Sequence, residues 1–134
     1  MPGSIAYTVQ LKESYDSAVQ KVIEALKSEG FGVLTTIDVK SAMKDKLGVD
    51  FRPYTILGAC NPALAHRALS HKPEIGLLLP CNVTVEETAA GGVTVRIIDP
   101  VAMMSMGGWE EDEVLRNVAS EAGRKLSKVA DLIA

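Results

Sequence analysis

Two Cys-Asn pairs, Cys60-Asn61 and Cys81-Asn82, are the residues of this sequence whose types and placement could do chemistry. A cysteine acts through its thiolate, as nucleophile, redox group or soft-metal ligand. Cys60 closes a β-rich run, and Asn61-Pro62 reads as a helix start, with asparagine at the cap and proline at the first helical position. A thiol placed there faces the positive end of the helix dipole and its free amides, which lowers its pKa. The same amides could receive an anion. The plain structural alternative is a buried cysteine followed by an ordinary cap. Cys81 falls on the apolar face of a predicted strand with Leu77, Leu79, Val83 and Val85, which argues for a buried, inert thiol. Asn82 points to the opposite face beside Pro80 and Thr84. Pro80 has no amide proton, so the strand there is an edge or is irregular.

Other candidates stand further off. Arg52 could bind a carboxylate or phosphate, or be a solvated edge charge. Asp99-Pro100 closes a strand and reads as a turn, or as a carboxylate facing a pocket. The cysteine spacing matches no zinc or thioredoxin pattern, so no metal site is assigned. A metal would need His66, His71 or the sulfurs of Met103, Met104 and Met106, a soft set suited to copper(I). Methionines in a loop are more often pliable core filler, and both histidines read as surface or capping side chains. Gly107-Gly108-Trp109 reads as a loop whose aromatic ring anchors the last helix. Walker loops, dinucleotide fingerprints, nucleophile elbows and HExxH are absent.

The elements that must hold these residues follow from periodicity. Ile5, Tyr7, Val9 and Leu11 alternate as a half-buried strand. Ser14 to Glu29 is an amphipathic helix capped by Ser14 and stopped by Gly30. Phe31 to Ile37 is a second strand, and Asp38 caps a short helix that ends at Gly48. Arg52 to Cys60 is the third strand, followed by the short helix after Asn61. Gly76 to Glu86 reads as one long strand, joined through Ala89-Ala90-Gly91-Gly92 to a fifth, Val93 to Asp99. Pro100 to Gly108 reads as irregular, and a long helix runs from Glu110, with Glu110 to Glu113 in its first turn. The fold class expected is α+β in one domain spanning 1–134: a mostly antiparallel five-stranded sheet with helices packed on one face.

Composition narrows the function classes. The chain has 134 residues, 47% of them apolar and 23% charged, with net charge −3. That suffices for one core without disulfides. With no basic cluster, nucleic-acid binding is not expected. No apolar run is long enough to span a bilayer, and no leader pattern opens the sequence. Two cysteines in such a chain read as reduced thiols of a cytoplasmic protein.

Three blocks carry a family resemblance: Lys46-Leu47-Gly48-Val49-Asp50-Phe51-Arg52-Pro53-Tyr54, Leu57-Gly58-Ala59-Cys60-Asn61-Pro62 and Ile75-Gly76-Leu77-Leu78-Leu79-Pro80-Cys81-Asn82-Val83. With them the chain resembles the prokaryotic family known as domain of unknown function 302. The resemblance implies a β-α-β(4)-α domain of TATA-binding-protein-like shape, here with two short inserted helices, and a homodimer. It implies no activity and no cofactor. Three readings of function remain open. The first is a small-ligand site formed by Cys60, Asn61 and Asn82, with Cys81, Arg52 and Asp99 as further members. The second is a cysteine-dependent enzyme, thiol relay or soft-metal protein acting through Cys60. The third is a dimeric structural module without chemistry.

Overall fold

The computed structural model describes residues 4–134; Met1 to Gly3, read above for a leader, lie outside the described residues. Five strands form one antiparallel sheet in the order β1-β5-β4-β3-β2. They are β1 (Ala6–Leu11), β2 (Gly32–Asp38), β3 (Tyr54–Cys60), β4 (Cys81–Glu87) and β5 (Val93–Ile98). The terminal strand β1 pairs with β5, so the sheet closes through a long-range contact, and β1 and β2 are left as edges.

Helix α1 (Tyr15–Ser28) begins where the Ser14 hydroxyl accepts the Ser17 N–H at 3.2 Å. It ends before Gly30, whose φ of +83° is the left-handed turn that favours glycine. Its Ala18, Val22 and Leu26 are fully buried. The long helix α5 (Glu113–Ile133) buries Leu115, Leu126, Val129 and Ile133 beside it. Both helices meet the face of the sheet made by Leu57, Val83, Val85, Val93, Val95 and Ile97, all essentially without exposed surface. The short helices are α2 (Val39–Leu47), α3 (Pro62–His71) and α4 (Pro100–Met106). No side chain of α2 is buried.

Four boundaries differ from the sequence reading. The long strand from Gly76 is not formed. Pro73–Leu78 is a 3-10 helix, and β4 starts only at Cys81, after a cis Leu79–Pro80 bond. Ile75 is buried and Leu78 packs against the core, a spacing of three rather than two, while Leu77 is 85% exposed. The stretch after Asp99 is a helix, not irregular chain: the Asp99 carboxylate accepts the Val101 N–H at 3.0 Å, and Pro100 opens α4. There are thus three short inserted helices rather than two. Helix α5 starts at Glu113 behind its cap Asp112, so Glu110 and Glu111 sit in the preceding turn. Finally, β3 begins at Tyr54, two residues after Arg52.

Candidate functional site

At one end of the sheet, β3 finishes, β4 starts and β5 finishes side by side. Ala59 stands opposite Cys81 in the ladder, and Gly58 opposite Asn82. Two helices begin at this end, each on a polar cap followed by proline: Asn61-Pro62 for α3 and Asp99-Pro100 for α4. The Leu64 N–H donates to Asn61 Oδ1 at 3.3 Å. The amide of Asn61 also lies against Gly30, where an added Cβ would come within 3.0 Å of Asn61 Nδ2. The cap therefore ties the end of α1 to the start of α3.

Between these elements lies a cavity of about 40 Å³. Its walls are apolar, with Phe31, Leu64, Ile75 and Val118 among them. The polar exceptions are Cys60, Asn61 and Cys81, and two methionines, Met103 and Met104, also line it. Cys81, Met103 and Met104 are buried and Cys60 is half-buried at the margin. Both thiols are free.

Burial dominates the thiol chemistry. It pushes the Cys81 thiol up to about 11, with the neighbouring Cys60 adding to the rise. Burial also raises Cys60 above its ordinary value, where the position before a helix had suggested a fall. Few first-turn amides are left to lower it: Pro62 has no N–H, and the Leu64 N–H donates to the Asn61 side chain.

Of the residues singled out in the sequence, Cys60, Asn61 and Cys81 share this cavity, and Asp99 stands beside it as the cap of α4. Asn82 is exposed and pairs with Gly58, away from the cavity walls. Arg52 lies just before the far end of β3, whose first residue Tyr54 is roughly 20 Å from Cys60 at the rise of a strand. There Arg52 and Arg96 both reach the Glu86 carboxylate, Arg96 Nη1 at 2.7 Å. The two guanidiniums hold that carboxyl below the usual carboxylate range. His71 Nε2 lies 2.9 Å from Asp112 Oδ2, joining the end of α3 to the start of α5, and Met106 is 70% exposed.

Met103 and Met104 are core filler as the sequence suggested, but they are held by helix α4, which was read as loop. The signal was present: Asp99-Pro100 has the cap-and-proline form of Asn61-Pro62. Sequence reasoning also missed a solvent-open groove of about 500 Å³ between α1 and β2, containing Asp16, Gln20, Asp38 and Lys40. At its base the Tyr15 phenol is hydrogen-bonded to the Thr55 hydroxyl, which locks α1 to β3.

An α+β domain with a five-stranded antiparallel sheet and a cysteine-bearing strand-to-helix junction is the class of protein that these features define. The family model for "Domain of unknown function DUF302" matches residues 7–133. The chain belongs to that family. It is similar in structure to an uncharacterized conserved DUF302 protein from Bacillus stearothermophilus, with 29% identity and a TM-score of 0.87. That likeness covers 98% of this chain and 100% of the other. No curated protein matches the chain. None of the helices among the described residues is long and apolar enough to cross a membrane.

Proposed function

We propose that this chain is a small-ligand-binding domain whose site is the cavity between β3, β4, α3 and α4. The observation that carries the reading is the convergence of Cys60, Asn61 and Cys81 on that cavity from two strands and a helix cap. At about 40 Å³ it admits an ion or a molecule of a few atoms, far less than the roughly 300–1,000 Å³ of a metabolite pocket. Raised thiol pKa values weigh against a nucleophilic Cys60 and so favour binding over catalysis. Free thiols suit a reducing compartment, in keeping with a cytoplasmic protein.

The test is a thermal-shift screen of ions and few-atom molecules against the wild type and Ala119→Val. Ala119 is a buried wall residue of α5, and the added methyl groups fill cavity space. A ligand at about 100 times its Kd stabilises by about 2.7 kcal/mol, which raises Tm by roughly 10 °C in a domain of this size. The wild type should respond and Ala119→Val should not. An equal response in both would place the ligand elsewhere.

A second observation favours a homodimer. Edge strand β2 is exposed along most of its length and carries Leu34 at 67% and Ile37 at 48% exposure, with no lysine or proline to blunt it. Such an edge, interrupted only by the irregularity between Val33 and Thr35, is a template for pairing with another strand. A two-fold antiparallel pairing of β2 with its copy would join two sheets into one. Sedimentation should show a dimer for the wild type and a monomer for Leu34→Lys/Ile37→Lys; an unchanged dimer would exclude this edge.

A further inference from the structure

We propose that the cavity holds a soft monovalent metal ion, copper(I), bound by the Cys81 thiolate and the Met103 and Met104 thioethers. The proposal rests on reading the cavity as a ligand site and names its occupant. Four sulfur-bearing residues, Cys60, Cys81, Met103 and Met104, line one space of about 40 Å³, and they come from β3, β4 and α4. Among the described residues no three His, Cys, Asp or Glu side chains group to hold a metal, which leaves zinc and the hard cations without a donor set. Thiolate and thioether together select copper(I). An ion held at the roughly 2.3 Å typical of metal–thiolate bonds needs little more room than the cavity offers.

Charge points the same way. No Lys, Arg, His, Asp or Glu lines the cavity, and apart from the neutral Cys60 thiol and Asn61 amide its remaining walls are hydrocarbon. A net charge left there would be poorly solvated. One monovalent cation, one thiolate and two neutral thioethers sum to zero; a divalent cation on the same ligands leaves a positive charge. In forming the site the Cys81 S–H bond breaks, a copper–sulfur bond forms, and the proton passes to solvent. No electron is transferred. Cys60, half-buried at the margin and still a thiol, is the contact through which the ion enters. Asn61 brings the only side-chain oxygen and nitrogen to these walls, and its Oδ1 already accepts the Leu64 N–H, so sulfur predominates over the oxygen and nitrogen ligands that copper(II) requires.

The reduced full chain is titrated anaerobically with copper(I) supplied as its bicinchoninate complex. One ion should bind per chain with release of one proton, and X-ray absorption should show a shell of sulfur only. Met103→Leu and Met104→Leu keep side-chain volume and so keep the fold. Each should lower affinity at least ~10-fold, the loss that even outer-shell changes produce. Cys81→Ser should lose more. Met106→Leu, outside the cavity, should bind as wild type. Equal affinity in wild type, Met103→Leu and Met104→Leu, or a nitrogen or oxygen shell, overturns the metal site. The cavity reading fails separately: other ligands that stabilise the wild type but not Ala119→Val would preserve it while copper(I) fails, and a screen with no Ala119-dependent ligand would remove both.

Discussion

Raising the pH should weaken this protein, and Cys81 should be the main cause. Its thiol ionises near 11 in the folded chain against an ordinary 9.0. The folded state therefore holds its proton more tightly than the unfolded state. The stabilisation is fully present below pH 9 and is lost as pH rises through 11. Two pH units correspond to about 3 kcal/mol, a sizeable share of a typical domain's stability. Burial raises the Tyr7 and Tyr15 phenols too, and they act in the same direction. Urea unfolding of wild type and Cys81→Ala between pH 7 and 11 isolates this contribution, because only the wild type carries the Cys81 thiol. Reactivity follows from the same cause. At pH 8 a thiol of pKa 11 has a thiolate fraction ~100-fold below one of pKa 9, before access is considered. Site-resolved alkylation should find Cys60 reacting slower than an unfolded-chain thiol and Cys81 slower by two orders of magnitude or more. An apparent pKa for Cys60 below about 8.5 would refute the reasoning, by showing that the helix amides outweigh desolvation.

Further consequences concern the parts that hold the site. Asn61→Ala leaves the Leu64 N–H without its 3.3 Å acceptor and should cost about 1 kcal/mol, read as a lower Tm by calorimetry. Gly58→Ala would place a methyl group against the Thr35 hydroxyl and 2.8 Å from Pro80 Cγ, so a loss of about 1–3 kcal/mol in urea unfolding is expected. Glu86→Gln removes the carboxylate shared by Arg52 and Arg96. Both arginines are about half exposed, so the loss should be only about 1 kcal/mol. It should be visible at neutral pH and vanish as pH falls through the depressed pKa of Glu86, where the wild-type carboxyl is itself protonated.

Much of the fold was legible because its signals are local. The Ser14 cap, the stripe of Ala18, Val22 and Leu26, and the Gly30 stop need nothing beyond neighbouring residues. So do the β4–β5 hairpin and the Asn61-Pro62 helix start. The stretch from Gly76 to Pro80 was not legible: Leu77, Leu79 and Cys81 alternate, yet tertiary packing takes Ile75, Leu78 and Leu79 and leaves Leu77 exposed. Placing Asp112 as the α5 cap requires knowing that it accepts the Leu115 N–H, where four consecutive acidic residues offer several starts. For the site, a strand-to-helix thiol was readable, but the sign of its pKa was not. That sign depends on how deeply α3, α4 and α5 bury the junction, and α4 had not been recognised. Arg52 and Asn82 belong to other parts of the sheet, which only register reveals.

The central claim is that ligands reach the cavity beside Cys60 and Cys81. It is tested most directly by methyl-resolved NMR of methionine-labelled protein under xenon pressure, xenon serving as an apolar probe of a few-atom site. The Met103 and Met104 methyl signals should shift with pressure, and those of Met106 and of Met43 on α2 should stay in place. In Ala119→Val the shift should disappear. Unmoved Met103 and Met104 signals in the wild type would contradict the account.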